Sequence, residues 1–589
     1  MERYDMKKLE DAVRTYREIF KKIKGKTVLV VLDISQAKAF YSLAPLSKAI
    51  HELNADMNVA VIKKQSPNLN VLKDVWSCHT SLKHGLRNRH TKALNDFIAL
   101  ADKKCENNIR KIFEPPEIYL NASKNSFEGS FSLPYSVSWY KDYRKKDLEN
   151  TAKIIWKQVF NIRKNEKIAI GFELLRKKSD MGLPIQDYLD SFHISYAMMS
   201  AVKDHEISMS ASTPRKSQLA DPERISELKT TLLGCEICKE NSAAVFRKFK
   251  ILSSLLKINR LGIPGAVFGI RGKGYSGRHY FGEYIGYPSK NKKTRWLSPD
   301  QMLYKLDYYP QTALDDTPPK SRVGFTETLP IDTFIKTGSI DWLKMQKKDQ
   351  KIVDIICKSQ YIMVEGKKFG KYRTRLKVGI VSPGEKRRRF RGSDVETRNL
   401  INPYFRKKGI LAGTMANIPG GEAFGTPEYV RGQFIGDVVI SLDQSYVLSA
   451  KNPIIVNCRG NNYTVIKGPK NIITKFKEKK KDAWEKLLKQ EKARSLPKKV
   501  IDINKKNFNN IGEFAINTNP EAELCNYLIV NEKIANMIHI ALGSGFDADR
   551  ATYYHTDIVI DSPRQQLDIY GVSRNGEKYW IHKKGKFVV

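Results

Sequence analysis

The chain has 589 residues, 41% of them hydrophobic, and a formal net charge of +40 at pH 7. This hydrophobic content is enough for several folded domains and excludes a chain that is disordered throughout. No apolar run reaches the roughly 18 residues of a membrane-spanning helix, and the charged N-terminus lacks the apolar centre of a signal peptide. We therefore expect a cytoplasmic protein that makes no contact with a membrane.

The first third of the chain alternates helical and strand patterns. The predicted elements are a helix at 7–24, strands at 27–33 and 57–62 with a helix between them, a helix at 147–161 and a strand at 167–175. Strand-helix-strand order favours a parallel sheet flanked by helices. We therefore predict an N-terminal α/β domain with a parallel sheet over residues 1–215, with an insertion at about 68–140.

The rest of the chain is predicted to divide near residue 330. Residues 216–330 mix a helical part with a Gly-, Tyr- and Pro-rich part, and we assign them to an insertion or connecting region. Short strands dominate residues 331–589, where helices are predicted only at 471–495 and 530–542. The tail is predicted to form a hairpin that turns at Asn575 and Gly576. The fold class is thus α/β plus α+β, with a strand-rich C-terminal domain that binds metal and carries the catalysis.

Side chains of the types that bind metals concentrate late in the sequence. Glu532 and His539 are seven residues apart, which is two turns of the predicted helix and places both on one face. His555 and Asp557 are two residues apart in an extended pattern, so both point to one side of a strand. Imidazole together with carboxylate suits zinc, manganese or cobalt rather than calcium. These four residues predict a metal site.

Two further carboxylates, Glu422 and Glu513, each follow a glycine, and with them the region resembles the thermophilic metallo-aminopeptidase family typified by aminopeptidases T and S. The matching blocks are, in chain order, Gly421–Phe424 (GEAF, against GEVF in the family), Gly512–Pro520 (GEFAINTNP, against GEFGIGTNP), His539–Gly543 (HIALG) and His555–Asp557 (HTD, against HxD). The resemblance covers about residues 330 to 589. One departure is Phe546, which stands where the family has a tyrosine seven residues after the HIALG histidine.

The resemblance implies an aminopeptidase that acts on peptides with two divalent metal ions, which are zinc, cobalt, manganese or magnesium. The implied metal ligands are Glu422, Glu513, Glu532, His539, His555 and Asp557. Glu513 is the implied carboxylate shared by both ions, and Glu532 either binds an ion or orients another ligand. Both are assigned as catalytic, but the sequence does not decide which carboxylate carries the proton. It also leaves a homodimer open.

The large positive charge keeps two alternative functions open. A metal-dependent nuclease or phosphoesterase uses the same ligand types on a basic protein, and an inactive homologue could bind nucleic acid. The basic residues are dispersed, however, and the run at 475–494 has the apolar spacing of an amphipathic surface helix. We therefore expect nucleic-acid binding to be at most weak and non-specific.

Overall fold

The structure is a computed structural model that describes most of the C-terminal half and separate segments of the N-terminal half. The described residues are 3–21, 27–33, 40–62, 118–121, 131–132, 139–162, 164, 167–173, 185–202, 206–212, 266–271, 322–382, 388, 390–392, 415–492, 498–545, 549–550 and 552–589. Phe546 and most of the predicted insertion at 68–140 and connecting region at 216–330 lie outside them.

The chain forms two compact units. The first comprises Met1–Met302 and Pro319–Ile335, and the second comprises Leu303–Pro318 and Lys336–Val589. The division into three domains that the sequence suggests stays a prediction. Within the described part of the chain, no helix is long and apolar enough to cross a membrane.

The first unit contains helices around one sheet. Its elements are α1 (Met6–Ile19), β1 (Thr27–Asp33), α2 (Leu43–Glu52), β2 (Asp56–Ile62), β3 (Ile118–Asn121), β4 (Phe131–Ser132), α3 (Lys145–Ile154), β5 (Lys167–Glu173), α4 (Ile185–Ser200), β6 (Glu206–Ser212), β7 (Ala266–Arg271) and β8 (Arg322–Glu327). The six elements listed from the sequence for this unit are all present, with shifted ends. The Asp5 side chain, for example, accepts a hydrogen bond from the Lys8 backbone N–H and caps the start of α1.

The strands of this unit follow the order β8-β7-β5-β6-β2-β1-β3-β4. Neighbours pair in parallel on either side of one antiparallel junction, at which Asn58 of β2 faces Ser212 of β6. The sheet is therefore mixed, and the prediction of a parallel sheet needs this correction. Local strand-helix-strand patterns predict neighbouring parallel pairs, but they carry no information on how two groups of strands join.

The second unit is built on two antiparallel sheets. Its elements, preceded by α5 (Ile331–Gly338) at the boundary, are α6 (Trp342–Lys358), β9 (Tyr361–Phe369), β10 (Tyr372–Gly379), β11 (Phe390–Gly392), β12 (Met415–Asn417), β13 (Glu422–Gly425), β14 (Tyr429–Gly436), β15 (Val439–Ser441), β16 (Ser445–Val447), β17 (Ile454–Arg459), β18 (Asn462–Lys467), α7 (Lys470–Lys492), α8 (Lys498–Lys506), β19 (Ile511–Asn517), α9 (Leu528–Asn531), β20 (Met537–Gly543), β21 (His555–Asp561), α10 (Ser562–Gln565), β22 (Asp568–Val572), β23 (Lys578–Lys583) and β24 (Lys586–Phe587). One sheet has the order β18-β17-β14-β10-β9-β22-β23-β24, and the other has the order β11-β13-β19-β20-β21-β15-β16.

One apolar core cluster among the described residues joins the two sheets of the second unit. It contains Leu376 and Phe434 of the eight-stranded sheet together with Phe514, Ile540 and Ile558 of the seven-stranded sheet. The last three residues lie opposite one another on β19, β20 and β21 and therefore share one face. Successive side chains of a strand alternate between faces, so the residues next to them in sequence point to the other side.

Most of the predicted elements of the second unit are present, and one is wrong. The strands, the helix at 471–495 (observed as α7) and the tail hairpin are confirmed, with Gly576 at a φ of 83° in the turn. The helix predicted at 530–542 is instead the short α9, a turn with Asn536 at a φ of 60°, and the strand β20. Because β20 is buried on both faces, its apolar run hides the alternation that marks a strand.

The 17-residue helix α6 was not predicted. The Asp341 side chain accepts a hydrogen bond from the Lys344 backbone N–H at its start. Its buried positions Trp342, Met345, Asp349 and Ile352 follow the three- and four-residue spacing of a helix, which is a signal that the sequence does contain.

Candidate metal centre

Strands β13, β19, β20 and β21 carry five of the six predicted ligands on one face of the seven-stranded sheet. Glu422 lies opposite Asn517, and Ala541 lies opposite both Glu513 and Asp557. Residues directly opposite on neighbouring antiparallel strands project to the same side. This is the face opposite the apolar core, so the register of three strand pairs brings distant parts of the sequence to one place.

Alanines lie in the middle of this face. Ala541 separates Glu513 from Asp557, and Ala515 is the residue opposite His539. A methyl group at each position leaves the space above the sheet to the longer ligand side chains. The sequence contained no signal that marked these two alanines.

All six predicted ligands come together. In each of three groups the ligand atoms lie within 4.8 Å of one another, and the groups are Glu422, Glu513 and His539; Glu513, His555 and Asp557; and Glu532, His539 and Asp557. Glu532 reaches the cluster differently from the prediction, because it follows the short helix α9 rather than sharing a helix face with His539.

The glycine before each of two glutamates is required by close packing. Gly421 has a φ of 115°, and a Cβ atom there would lie 2.7 Å from the backbone nitrogen of Asn519. At Gly512 a Cβ atom would lie 2.1 Å from the carbonyl oxygen of Ser544. Any side chain at these two positions would displace the strands that carry Glu422 and Glu513.

Each histidine is oriented by an oxygen that accepts a hydrogen bond from Nδ1. His539 Nδ1 lies 2.8 Å from Asn517 Oδ1, and His555 Nδ1 lies 2.8 Å from the Ser544 carbonyl oxygen. With the proton on Nδ1, Nε2 of each ring is left to face the carboxylates. Nε2 lies 3.4 Å from Glu513 Oε1 in His539 and 3.2 Å from Glu513 Oε2 in His555. This is the arrangement by which proteins usually present a histidine to a metal ion.

Several buried ligand atoms have no hydrogen-bond partner among the described residues. They include Glu422 Oε2, His539 Nε2 and Asp557 Oδ2. Buried polar atoms are normally paired, because leaving one unpaired costs about 1–3 kcal/mol. Oxygen and imidazole nitrogen atoms with unused lone pairs, pointing at one another, fit a divalent transition-metal ion.

The charges of the cluster perturb its protonation. Burial raises the pKa of Glu422 to about 7, although the charges of Lys533 and His539 oppose the rise. Burial would lower the pKa of His539, but the carboxylates of Glu513 and Glu422 outweigh it and raise the pKa to about 9. Burial alone would raise the pKa of Glu513, yet its contacts with His539 and His555 lower it. A metal ion bound here would compete with a proton for Nε2 of His539.

Two lysines near the cluster were not predicted from the sequence. Lys533 is fully buried, and its ammonium lies 2.6 Å from Glu422 Oε1 and 2.8 Å from Glu532 Oε1. Lys479 donates a hydrogen bond to the His555 carbonyl oxygen at 2.8 Å, and burial lowers its pKa to about 8. Nothing in the sequence distinguishes these two residues from the other lysines of so basic a chain.

Comparisons with known proteins add little to this geometry. No protein-family model and no curated protein matches the chain. Among solved structures, the chain is similar to wild-type AmpT from Thermus thermophilus, with 14% sequence identity and a TM-score of 0.39, over 76% of this chain and 100% of that one. A TM-score this low carries no argument, so the functional proposal rests on the cluster and on the sequence blocks.

Proposed function

We propose that this chain is a metal-dependent aminopeptidase, which hydrolyses N-terminal residues from peptides. The observation that carries the proposal is the convergence of five predicted ligands on one sheet face with the sixth, Glu532, beside them, and with buried lone pairs unused. The four sequence blocks that resemble the metallo-aminopeptidases supply the choice of substrate.

Glu513 would be the carboxylate shared by two ions, because it faces both histidines. Its Oε1 faces His539 and its Oε2 faces His555, at 3.4 and 3.2 Å. The proposed ligands on the two sides are Glu422, Glu532 and His539, and His555 with Asp557. When bound, divalent ions supply a Lewis acid for the substrate carbonyl and lower the pKa of a water molecule.

Glu532 is the carboxylate best suited to carry a proton. Its side chain is 14% exposed, whereas those of Glu422, Glu513 and Asp557 are at most 4% exposed. Burial also raises the pKa of Glu532, which brings it closer to neutrality. We assign Glu532 as the residue that exchanges the proton with solvent and Glu513 as the ligand that holds the two positions together.

A metal-dependent nuclease or phosphoesterase is the second candidate, because the net charge of +40 favours an anionic substrate. An inactive homologue that binds nucleic acid is a third, but it leaves the retained set of six ligands without a purpose.

The three candidates are separated by one set of assays. Metal-stripped protein is tested with and without added Zn²⁺, Co²⁺ or Mn²⁺ on three substrates. These are aminoacyl-amides, the same amides with an acetylated N-terminus, and single-stranded nucleic acid. Metal-dependent cleavage of the free but not the acetylated substrates supports the proposal. Hydrolysis of nucleic acid alone supports the phosphoesterase, and weak binding without any hydrolysis supports the inactive homologue.

A further inference from the structure

The candidate metal centre already contains one positive charge, the ammonium of Lys533. The side chain is fully buried and bonds to Glu422 and Glu532, at 2.6 and 2.8 Å. A buried ammonium between two carboxylates is a cation that the fold supplies itself.

We propose that Lys533 occupies the cation position between Glu422 and Glu532 and so makes the two metal positions unequal. One divalent ion binds tightly at Glu513, His555 and Asp557. The second binds weakly, because it must displace the lysine. This inference rests on the proposed metal site of the preceding subsection.

The contacts of Lys533 distinguish one of the three ligand groups from the other two. The group of Glu422, Glu513 and His539 contains one carboxylate bonded to the lysine, and so does the group of Glu532, His539 and Asp557. The group of Glu513, His555 and Asp557 contains none. In this group the histidine lies closer to its carboxylates than His539 does in the other two. His555 Nε2 lies 3.0 and 3.2 Å from carboxylate oxygens, whereas His539 Nε2 lies 3.4 and 3.5 Å from them.

The ammonium weakens the attraction of the cluster for a second divalent ion. Four ionised carboxylates, the ammonium and a single divalent ion leave one negative charge when the histidines are neutral. A second divalent ion would leave one positive charge, close to an ammonium that repels it. Without the ammonium, two divalent ions would neutralise the same four carboxylates.

The second lysine of the region does not act in the same way. The Lys479 ammonium donates to backbone carbonyl oxygens of Ser441, Leu442 and His555, at 3.3, 3.3 and 2.8 Å. It is bonded to none of the ligand carboxylates in the described contacts, so it occupies no ligand position.

The test is a zinc-binding isotherm, measured by equilibrium dialysis and elemental analysis on metal-stripped protein. We expect the wild type to bind one ion tightly and a second on the order of 100-fold more weakly. Lys533→Met keeps the length of the side chain without its charge, and it should tighten the second ion by about 10-fold or more without weakening the first. Lys533→Arg, and Lys505→Met at a surface ion pair with Glu491, should both resemble the wild type.

The outcomes separate this inference from the proposed function. Two ions of equal affinity in the wild type, or a folded Lys533→Met protein with an unchanged second affinity, would overturn the role of Lys533 but keep the metal site. No tight ion in the wild type would instead overturn the site itself. Should Lys533→Met fail to fold, Glu532→Gln serves in its place. It should weaken only the second ion, and an equal loss at both positions would contradict the inference.

Discussion

Each of the two units buries carboxylates, and the two cases differ in how the oxygen atoms are used. In the first unit, Asp190 accepts a hydrogen bond from the Tyr4 hydroxyl, another from the Ile331 backbone N–H at 3.0 Å, and pairs with Arg3 at 3.0 Å. In the second unit, Asp557 is 1% exposed, and its Oδ2 has no hydrogen-bond partner among the described residues.

This difference shows that burial of a carboxylate is not by itself a sign of a binding site. Burial raises the pKa of Asp190 to about 6 even with three donors nearby, so the group is held by its partners as part of the packing. Burial would raise the pKa of Asp557 as well, but His555 and His539 lower it. Unused lone pairs next to imidazoles, rather than burial, make the second case a candidate site for a cation.

The largest effect is expected from Glu513→Ala. The substitution removes the carboxylate that faces both histidines, so we expect loss of bound metal and a fall in kcat/KM of about 10³-fold or more. The protein should stay folded, because the side chain contacts polar partners rather than the apolar core. Glu523→Ala, at an exposed ion pair with Lys336, is the matched control. A Glu513→Ala protein that keeps its metal and near-normal turnover would refute the assignment of the site.

The comparison itself is tested by Asp190→Asn and Asp557→Asn. An amide at position 190 places an NH₂ group among donors, so we expect a loss of about 1–3 kcal/mol in the free energy of unfolding. The same change at position 557 should cost less stability but lower the zinc affinity, on the order of 10- to 100-fold. Urea denaturation of the metal-free proteins and zinc titration measure the two effects. If both substitutions altered only the free energy of unfolding, unused lone pairs would not distinguish a cation site from a carboxylate that is part of the packing.

His582 lies between the two carboxylate cases. Like Asp557 it has buried polar atoms without a hydrogen-bond partner among the described residues, but it belongs to none of the candidate metal-ligand groups. Neither ring nitrogen has a hydrogen-bond partner among the described residues, and burial lowers the pKa to about 3. Below about pH 6.5 the unfolded chain binds a proton at this residue that the folded chain does not, so stability should fall with the pH down to about 3. The loss between pH 7 and 5 is about 2 kcal/mol.

His582→Leu should remove this part of the pH dependence, and urea denaturation at both pH values measures it. Zinc binding should not change, since His582 belongs to none of the candidate ligand groups among the described residues. An unaltered pH dependence in the variant would show that the histidine is not held neutral by burial.

The smallest effect is expected for nucleic-acid binding by the basic residues that lie outside the candidate metal centre. Because the basic residues are dispersed, we expect weak binding to single-stranded nucleic acid that falls steeply with salt and does not depend on sequence. Fluorescence anisotropy at several salt concentrations tests it. Nanomolar, sequence-selective binding at about 0.15 M salt would contradict it.

The sequence indicated which candidate ligands lie close together better than it indicated how they are held. Four blocks that resemble the metallo-aminopeptidases named five of the candidates, the spacing to His539 added Glu532, and the structure brings all six into three close groups. The helix expected under His539 was wrong, since a strand buried on both faces carries the same apolar run as a helix. Lys533 was missed because its role depends on Glu422, which lies 111 residues away in the chain.

The central claim is that the cluster of the second unit binds a divalent metal ion, and metal analysis tests it most directly. Wild type and Glu513→Ala are stripped with chelator, dialysed against a low concentration of Zn²⁺ and analysed for zinc per chain. We predict at least one zinc ion on the wild type and substantially less on the variant. A wild-type chain without zinc, or a variant that holds as much as the wild type, would contradict the claim.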